Sequence, residues 1–386
     1  MKNIIFINQV TGPLLIDMVN VFAEKDHKVI LYTGEISKTS DDLDQRVIVK
    51  KLTTYKKDNN VNRLVTWFLF FSQSLFYLKK DLSEDSVIYF SSNPPFIPWI
   101  TLFYKNTSYI HIYDVYPNAL LALPYITKKS FIYKAFLYLN KKSFDKCKKV
   151  FTPSQGMKEM LINSITKEKV RVIPWWADTE FIKPINKSNN TFINDNKLHG
   201  KFIVMYSGNF GLTHNIEKIL NSALLLRDES NIKFIIIGAG PKKRIVDSFE
   251  RKHKLDNLLI LPFQDQATLP YSMAASDISV VLDSFSSNRE GDSTASIPSK
   301  TYYLMSAGSV IYAESDNTSE LNELIKNNKI GLCDSTQGTE IFINFIKECL
   351  NNRELLEELK ENSRLTSLKF TKKNANMLYN EILKID

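Results

Sequence analysis

The chain has 386 residues, 44% apolar and 24% charged, with a formal net charge of +8; this is too long for one ordinary core and fits two domains of roughly 150 to 200 residues. Three cysteines, Cys147, Cys333 and Cys349, are odd in number and widely spaced, which suits a reducing cytosol and argues against a zinc site or a catalytic thiol. No segment approaches the roughly 20 continuous apolar residues that span a bilayer.

The opening "MKNIIFINQV" has one lysine and then a short apolar run leading to a glycine turn, which reads as a first strand and not a secretion signal. The same order of apolar run, glycine and helical pattern returns in "KFIVMYSGNFGLTHNIEKILNSALLL" and "NIKFIIIGAGPKKRIVDSFERKH". Each run is continuous and not alternating, so its strand is buried on both faces, as in a parallel sheet covered by helices. Further strands are expected at 29–32, 87–90, 109–113, 149–152 and 170–173, then at 258–261, 278–282 and 310–313. The fold class is therefore α/β, with two doubly wound domains in tandem and a cleft expected at the carboxyl ends of their strands.

Between the first strands, "NRLVTWFLFFSQSLFYLKK" at 62–80 is apolar on almost every face if helical. About 15 such residues make a helix of about 22 Å, too short to cross a membrane but suited to its interface; a core helix is the alternative. "YIHIYDVYPN" places Asp114 at the carboxyl end of a strand, where a carboxylate can serve as base or hydrogen-bond acceptor for a substrate hydroxyl. A cap before Pro117 would explain it equally, and His111 reads as a core histidine. From 125 to 150 eight lysines face the single acid Asp145, a density that asks for an anionic surface, here anionic lipid. The asparagine-rich "KPINKSNNTFINDNKLHGK" reads as a linker at 186–200 between domains at 1–185 and 201–366. The last segment, 367–386, is a lone helix without a strand of its own.

In the second half, "YSGNFGLTHN" sets Gly208 and Gly211 at the exit of a strand. Glycine there lets backbone approach a ligand, although a tight packing turn would use it too. "IIIGAGPKK" offers Gly238 and Gly240 but Lys243 in place of a third glycine, so the dinucleotide fingerprint fails, and no phosphate-loop sequence is present. In "IPSKTYYLMSAGSVIYAES" Pro298 suits the first position of a short helix, leaving the N–H groups of Ser299 and Lys300 without intrahelical partners. Lys300 in that first turn opposes the helix dipole at a cost of roughly 0.3 to 1 kcal/mol. A bound phosphate would reverse that sign, so the Gly208 turn and the Ser299–Lys300 segment could form two jaws of a diphosphate site. The five histidines lack ligand spacing, and no metal is expected.

Taken in order, "VRVIPWWADTEFIKP", "YSGNFGLTHNIEKIL", "FIIIGAGPKK", "LPFQDQATLPYSMAASDISVVL" and "IPSKTYYLMSAGSVIYA" resemble the family 4 retaining glycosyltransferases of the GT-B fold, nearest to bacterial members that build O-antigen, capsule and exopolysaccharide. The resemblance implies two Rossmann-like domains facing a cleft, a nucleotide-sugar donor on the second, an acceptor on the first, and a final helix that crosses back to the first. It implies that Gly12 lies in a first-domain loop facing the donor, that Gly208 begins the phosphate loop and Gly238 lines the donor, that Phe263 lies beside the base, and that Ser299 and Lys300 meet the diphosphate. Asp114 falls near the reacting sugar. Where the commoner pattern has Arg and Lys this chain has Asn209 and His214, and where it has two glutamates this chain has Ala295 and Tyr303; Arg289 is a further candidate for the diphosphate charge. The expected activity is hexosyl or N-acetylhexosaminyl transfer, with retention, from a nucleoside-diphosphate sugar to a polyprenyl-diphosphate-linked saccharide. It would need no metal, no separate cofactor and no nucleic acid, and would take place on the cytoplasmic face of the plasma membrane. A nucleotide-sugar epimerase and a non-catalytic sugar- or nucleotide-binding assembly protein are the alternatives.

Overall fold

A computed structural model describes residues 1–36, 43–56, 58–118, 121, 126–162, 165–282 and 295–383. The chain divides into two compact units, Met1–Pro174 with Lys372–Asp386, and Trp175–Thr371. The first contains β1 (Asn3–Ile7), β2 (Val10–Thr11), α1 (Pro13–Glu24), β3 (Lys28–Thr33), β4 (Glu35–Ile36), β5 (Ile48–Lys51), α2 (Asn60–Asp81), β6 (Val87–Ser91), β7 (Ser108–His111), α3 (Phe131–Lys146), β8 (Lys149–Thr152), α4 (Gln155–Ile162) and β9 (Val170–Val172). Seven of these strands pair in the order β5-β3-β1-β6-β7-β8-β9, all parallel, with Ile4 opposite Val29 on one side and Val87 on the other. Ile4, Ile5, Phe6 and Ile7 have no exposed surface, as a continuous apolar run covered on both faces requires.

The second unit contains α5 (Thr191–Asp195), β10 (Phe202–Asn209), α6 (Ile216–Leu225), β11 (Ile232–Ala239), α7 (Lys243–His253), β12 (Leu258–Leu261), α8 (Leu269–Ala274), β13 (Ile278–Leu282), α9 (Lys300–Ser306), β14 (Val310–Glu314), α10 (Glu320–Asn328), β15 (Gly331–Asp334), α11 (Glu340–Asn351) and α12 (Arg353–Ser367). Its six-stranded sheet runs β12-β11-β10-β13-β14-β15, again parallel throughout. The last helix, α13 (Lys373–Leu383), packs in the first unit. Tyr379 meets Phe22 of α1 edge to face, and the Tyr109 hydroxyl donates to the Ile382 carbonyl at 2.7 Å.

Three expectations from the sequence need correction. The first boundary falls at 174/175, not 185, because Trp176, Ala177 and Ile182 are buried in the second unit, where the Ala177 N–H bonds the Phe370 carbonyl. The asparagine-rich segment 186–200 is not a linker. It forms α5, whose Phe192 and Ile193 join Leu198 in a core cluster beneath β10 and β11. Its asparagines act locally: Asn190 caps α5 through Ile193 N–H and donates to the Tyr271 carbonyl at 2.8 Å. Finally, the terminal helix expected at 367–386 starts later: α12 ends at Ser367, and the helix that belongs to the first unit is α13, the chain changing units at 371/372.

Candidate functional site

The second sheet reverses its strand order between β10 and β13: β11 and β12 continue to one side, β13 to β15 to the other. Loops leaving the carboxyl ends of the strands diverge at such a point, where ligands of open parallel sheets collect. Gly208 and Asn209 end β10, and Lys300 opens α9, the helix after β13. The topology brings the two together. Lys300 Nζ lies 4.3 Å from the centre of the Tyr206 ring, and a Cβ on Gly208 would stand 3.4 Å from that Nζ.

His214 completes the turn. Its Nδ1 is 2.9 Å from the Asn209 carbonyl, which also accepts from the Tyr206 hydroxyl at 2.6 Å. Burial lowers the His214 pKa; the bond to Asn209 opposes this, while repulsion from Lys300 and Lys242 adds to it. The same Nδ1 lies 3.1 Å from the Tyr206 hydroxyl, so one ring nitrogen meets both groups of the turn. Lys242 donates to the His214 carbonyl and to Glu217, both at 2.8 Å. Positive charge at this turn thus comes from lysines, with the imidazole fixing the loop.

Gly238 is accounted for by packing. It is buried at φ 145°, and a Cβ there would lie 1.9 Å from the Gly208 carbonyl on the neighbouring strand, so only glycine lets the ends of β10 and β11 run together. Gly240 likewise passes Phe210 too closely for a side chain.

Pro298 is not the first helical residue. The helix starts at Lys300 with Ser299 before it, and the Pro298 carbonyl accepts the Thr301 N–H at 2.9 Å. Tyr303 is half-buried on α9, Ala295 is buried, and Phe263 is exposed in the segment after β12, two places from β10 in the sheet. Arg289 lies outside the described residues. Two residues the sequence reading passed over matter here: Tyr206, the ring under Lys300, and Lys242, the first lysine of "GPKK". Only the second left a signal, a lysine pair directly after a glycine turn.

On the first unit, Gly12 caps α1 with nothing within 4 Å of where a Cβ would be. Asp114 follows β7 and is exposed, yet desolvation by surrounding protein raises its carboxyl above the ordinary value. His111 is a core residue, its Nδ1 2.6 Å from the Tyr89 hydroxyl and its pKa lowered to about 3 by burial. Among the described residues no group of three or more His, Cys, Asp or Glu could hold a metal ion.

Two parallel doubly wound sheets, with a lysine and a glycine turn at the switch point of the second, define an α/β protein of the GT-B class. Solved structures share that fold along the whole chain. Sucrose-phosphate synthase from Thermosynechococcus elongatus superposes with a TM-score of 0.77 at 14% identity, covering 100% of this chain and 98% of that one. Anabaena Alr3699/HepE in complex with UDP gives 0.74 at 14%, covering all of both chains. WaaG, a glycosyltransferase involved in lipopolysaccharide biosynthesis, gives 0.72 at 13%, covering 98% and 99%. Residues 188–366, within the second unit, match the family model for glycosyl transferases group 1. A curated relative, the candidate colanic acid biosynthesis glycosyl transferase WcaI of Escherichia coli (strain K12), is 25% identical over 209 residues, 52% of this chain and 49% of that protein. The match thus spans about half the length of that relative.

Proposed function

We propose that the protein is a retaining glycosyltransferase of cell-surface polysaccharide synthesis, moving a sugar from a nucleoside-diphosphate sugar on the second unit to a hydroxyl of a polyprenyl-diphosphate-linked saccharide on the first. The observation that carries this reading is Lys300 Nζ held against Tyr206 beside Gly208 at the β10/β13 switch point. As the glycosidic bond breaks, the leaving diphosphate gains negative charge, and a fixed cation there stabilises that state more than the ground state. Support comes from the family match of the second unit, from the HepE complexes with UDP and UDP-glucose, and from the polysaccharide and lipopolysaccharide roles in the names of WcaI and WaaG. In a front-face reaction the departing phosphate oxygen takes the acceptor proton, and Asp114 orients the acceptor hydroxyl. Hexosyl or N-acetylhexosaminyl donors, with no metal, fit this chemistry.

The reading includes work at the cytoplasmic face of an anionic membrane. No helix among the described residues is long and apolar enough to cross a membrane, but α2 exposes Val61, Leu64, Val65, Phe68, Leu69 and Phe76. On α3 the exposed Phe131, Ile132 and Tyr138 alternate with exposed Lys134, Lys141 and Lys142.

Lys300→Ala should slow transfer at saturating donor by about 10² or more, the loss expected for one oxyanion donor, measured as release of nucleoside diphosphate with acceptor present. Wild-type turnover in that variant would refute the site.

A further inference from the structure

The first unit holds a second cluster at the carboxyl end of its own sheet, built by the loop after β5 and the start of α2. Tyr55 stacks on Trp67, ring centres 5.9 Å apart and planes 9° from parallel, and the Arg63 guanidinium carbon lies 5.4 Å from the centre of the Trp67 ring. Arg63 Nη2 donates to Asn60 Oδ1 at 2.8 Å, and the guanidinium also donates to the Tyr55 hydroxyl, leaving Nε unused. Two buried N–H donors on this helix, Arg63 Nε and Trp67 Nε1, have no hydrogen-bond partner, although Trp67 is only 8% exposed. Among the described residues Arg63 forms no ion pair.

A buried donor left unmet costs about 1 to 3 kcal/mol, more when charged, so two such donors four residues apart on one helix call for an acceptor. The electrostatics narrow its nature. Asp114 and Arg63 both act electrostatically on the phenols of Tyr55 and Tyr116, so each lies within electrostatic reach of the same two rings. Residues around Arg63 on α2 are apolar and exposed: Val61, Leu64, Val65 and Phe68. A ligand fitting all of this has an anionic group for Arg63 and Trp67, a hydrocarbon for the outer face of α2, and a hydroxyl within reach of Asp114.

We propose that Arg63 and Trp67 bind a phosphoryl group of the lipid-linked acceptor, selecting acceptors by the diphosphate between hydrocarbon and sugar. This rests on the functional reading above and names its acceptor subsite. Guanidinium recognises phosphoryl oxygens by paired, charge-assisted hydrogen bonds, which an ammonium matches only in part.

Binding of farnesyl diphosphate, farnesol and inorganic diphosphate, each below micelle-forming concentration, is measured by calorimetry on the full chain without donor. The wild type should bind farnesyl diphosphate at least tenfold more tightly than farnesol. Arg63→Ala should abolish the preference over farnesol, Arg63→Lys should keep part of it, and Trp67→Phe, which keeps an aromatic ring for Tyr55 and Arg63 but removes the indole N–H, should weaken farnesyl diphosphate binding severalfold. Lys300→Ala, which removes the cation proposed for the donor diphosphate, should keep the preference over farnesol, and in that variant farnesyl diphosphate should bind at least tenfold more tightly than inorganic diphosphate. The proposal is overturned if Arg63→Ala keeps the preference over farnesol, if Lys300→Ala removes it, or if inorganic diphosphate binds the Lys300→Ala variant as well as the lipid does. Because no donor or turnover enters the measurement, failure of this subsite and failure of the transferase reading give separate results.

Discussion

Lys218 is 1% exposed and faces two carboxylates, Asp334 at 2.6 Å and Glu314 at 3.4 Å, themselves 0% and 1% exposed. The two acids are not equivalent. Burial opposes ionisation of Asp334, but hydrogen bonds from Lys218, the Tyr312 hydroxyl and Thr336 outweigh it and hold the carboxyl below its ordinary value. At Glu314 burial wins over Lys218 and Asn215, and the carboxyl is raised. With a folded pKa above the unfolded one, the native state binds more protons between the two values, so Glu314 subtracts stability as pH rises through that window. Glu314→Gln should therefore equal or exceed the wild type in urea unfolding at pH 7, and lose the slope. Asp334→Asn strips the lysine of its nearer partner and should cost about 3 to 5 kcal/mol; the opposite ranking would show that Glu314 carries the cluster. Nothing in the sequence marks Lys218, which in "NIEKIL" looks like any surface lysine, whereas Lys300 is legible because its charge conflicts with its place at a helix start. Arg63 was hidden for a related reason: in an apolar helix its neighbours suggest lipid or core, and only the fold brings Tyr55 to it.

Helices and strands were legible to different degrees. Strands at 149–152, 258–261 and 278–282 coincide with β8, β12 and β13, because a buried parallel strand is written as an unbroken apolar run. β5 and β15 were not predicted; both are sheet edges with mostly half-exposed residues, so "IVKK" and "GLCD" lack that run. α2 has 22 residues, about 33 Å at the usual rise, and buries Thr66, Trp67, Phe70, Ser74 and Leu78 while exposing its other face, so neither the shorter length nor a fully buried core helix holds. α5 shows how composition misleads: asparagines suggested a linker where Asn190, with no exposed surface, ties a short helix to the carbonyl of Tyr271. Asn190→Ala removes a cap and a buried cross-link together, and should lower stability by about 1 to 3 kcal/mol. Equilibrium denaturation checks this, and a change below a few tenths would restore the linker view of 186–200.

For the molecule as a whole, the net charge of +8 matters through where it is free to act. Lys149 of the lysine-rich stretch is committed to Glu381 of α13, and Lys146 donates to the Leu102 carbonyl, while Lys134, Lys141 and Lys142 are exposed on α3 beside Phe131, 85% exposed, and Tyr138. The membrane attachment proposed above would have two parts with different salt dependence. Each lysine near an anionic bilayer contributes about 1 kcal/mol and is screened as the Debye length falls from about 10 Å at 0.1 M salt to about 3 Å at 1 M, whereas insertion of apolar side chains is not screened. Sedimentation with vesicles containing phosphatidylglycerol should therefore weaken at 1 M salt without disappearing. Lys134→Glu, Lys141→Glu and Lys142→Glu together should remove the salt-sensitive part, and Leu64→Ser with Phe68→Ser should leave binding that salt reverses completely. If the charge reversals leave binding unchanged at 0.1 M, α3 is a solvated face and the lipid surface is not its partner; if the serine pair does, the apolar stripe of α2 meets something other than lipid.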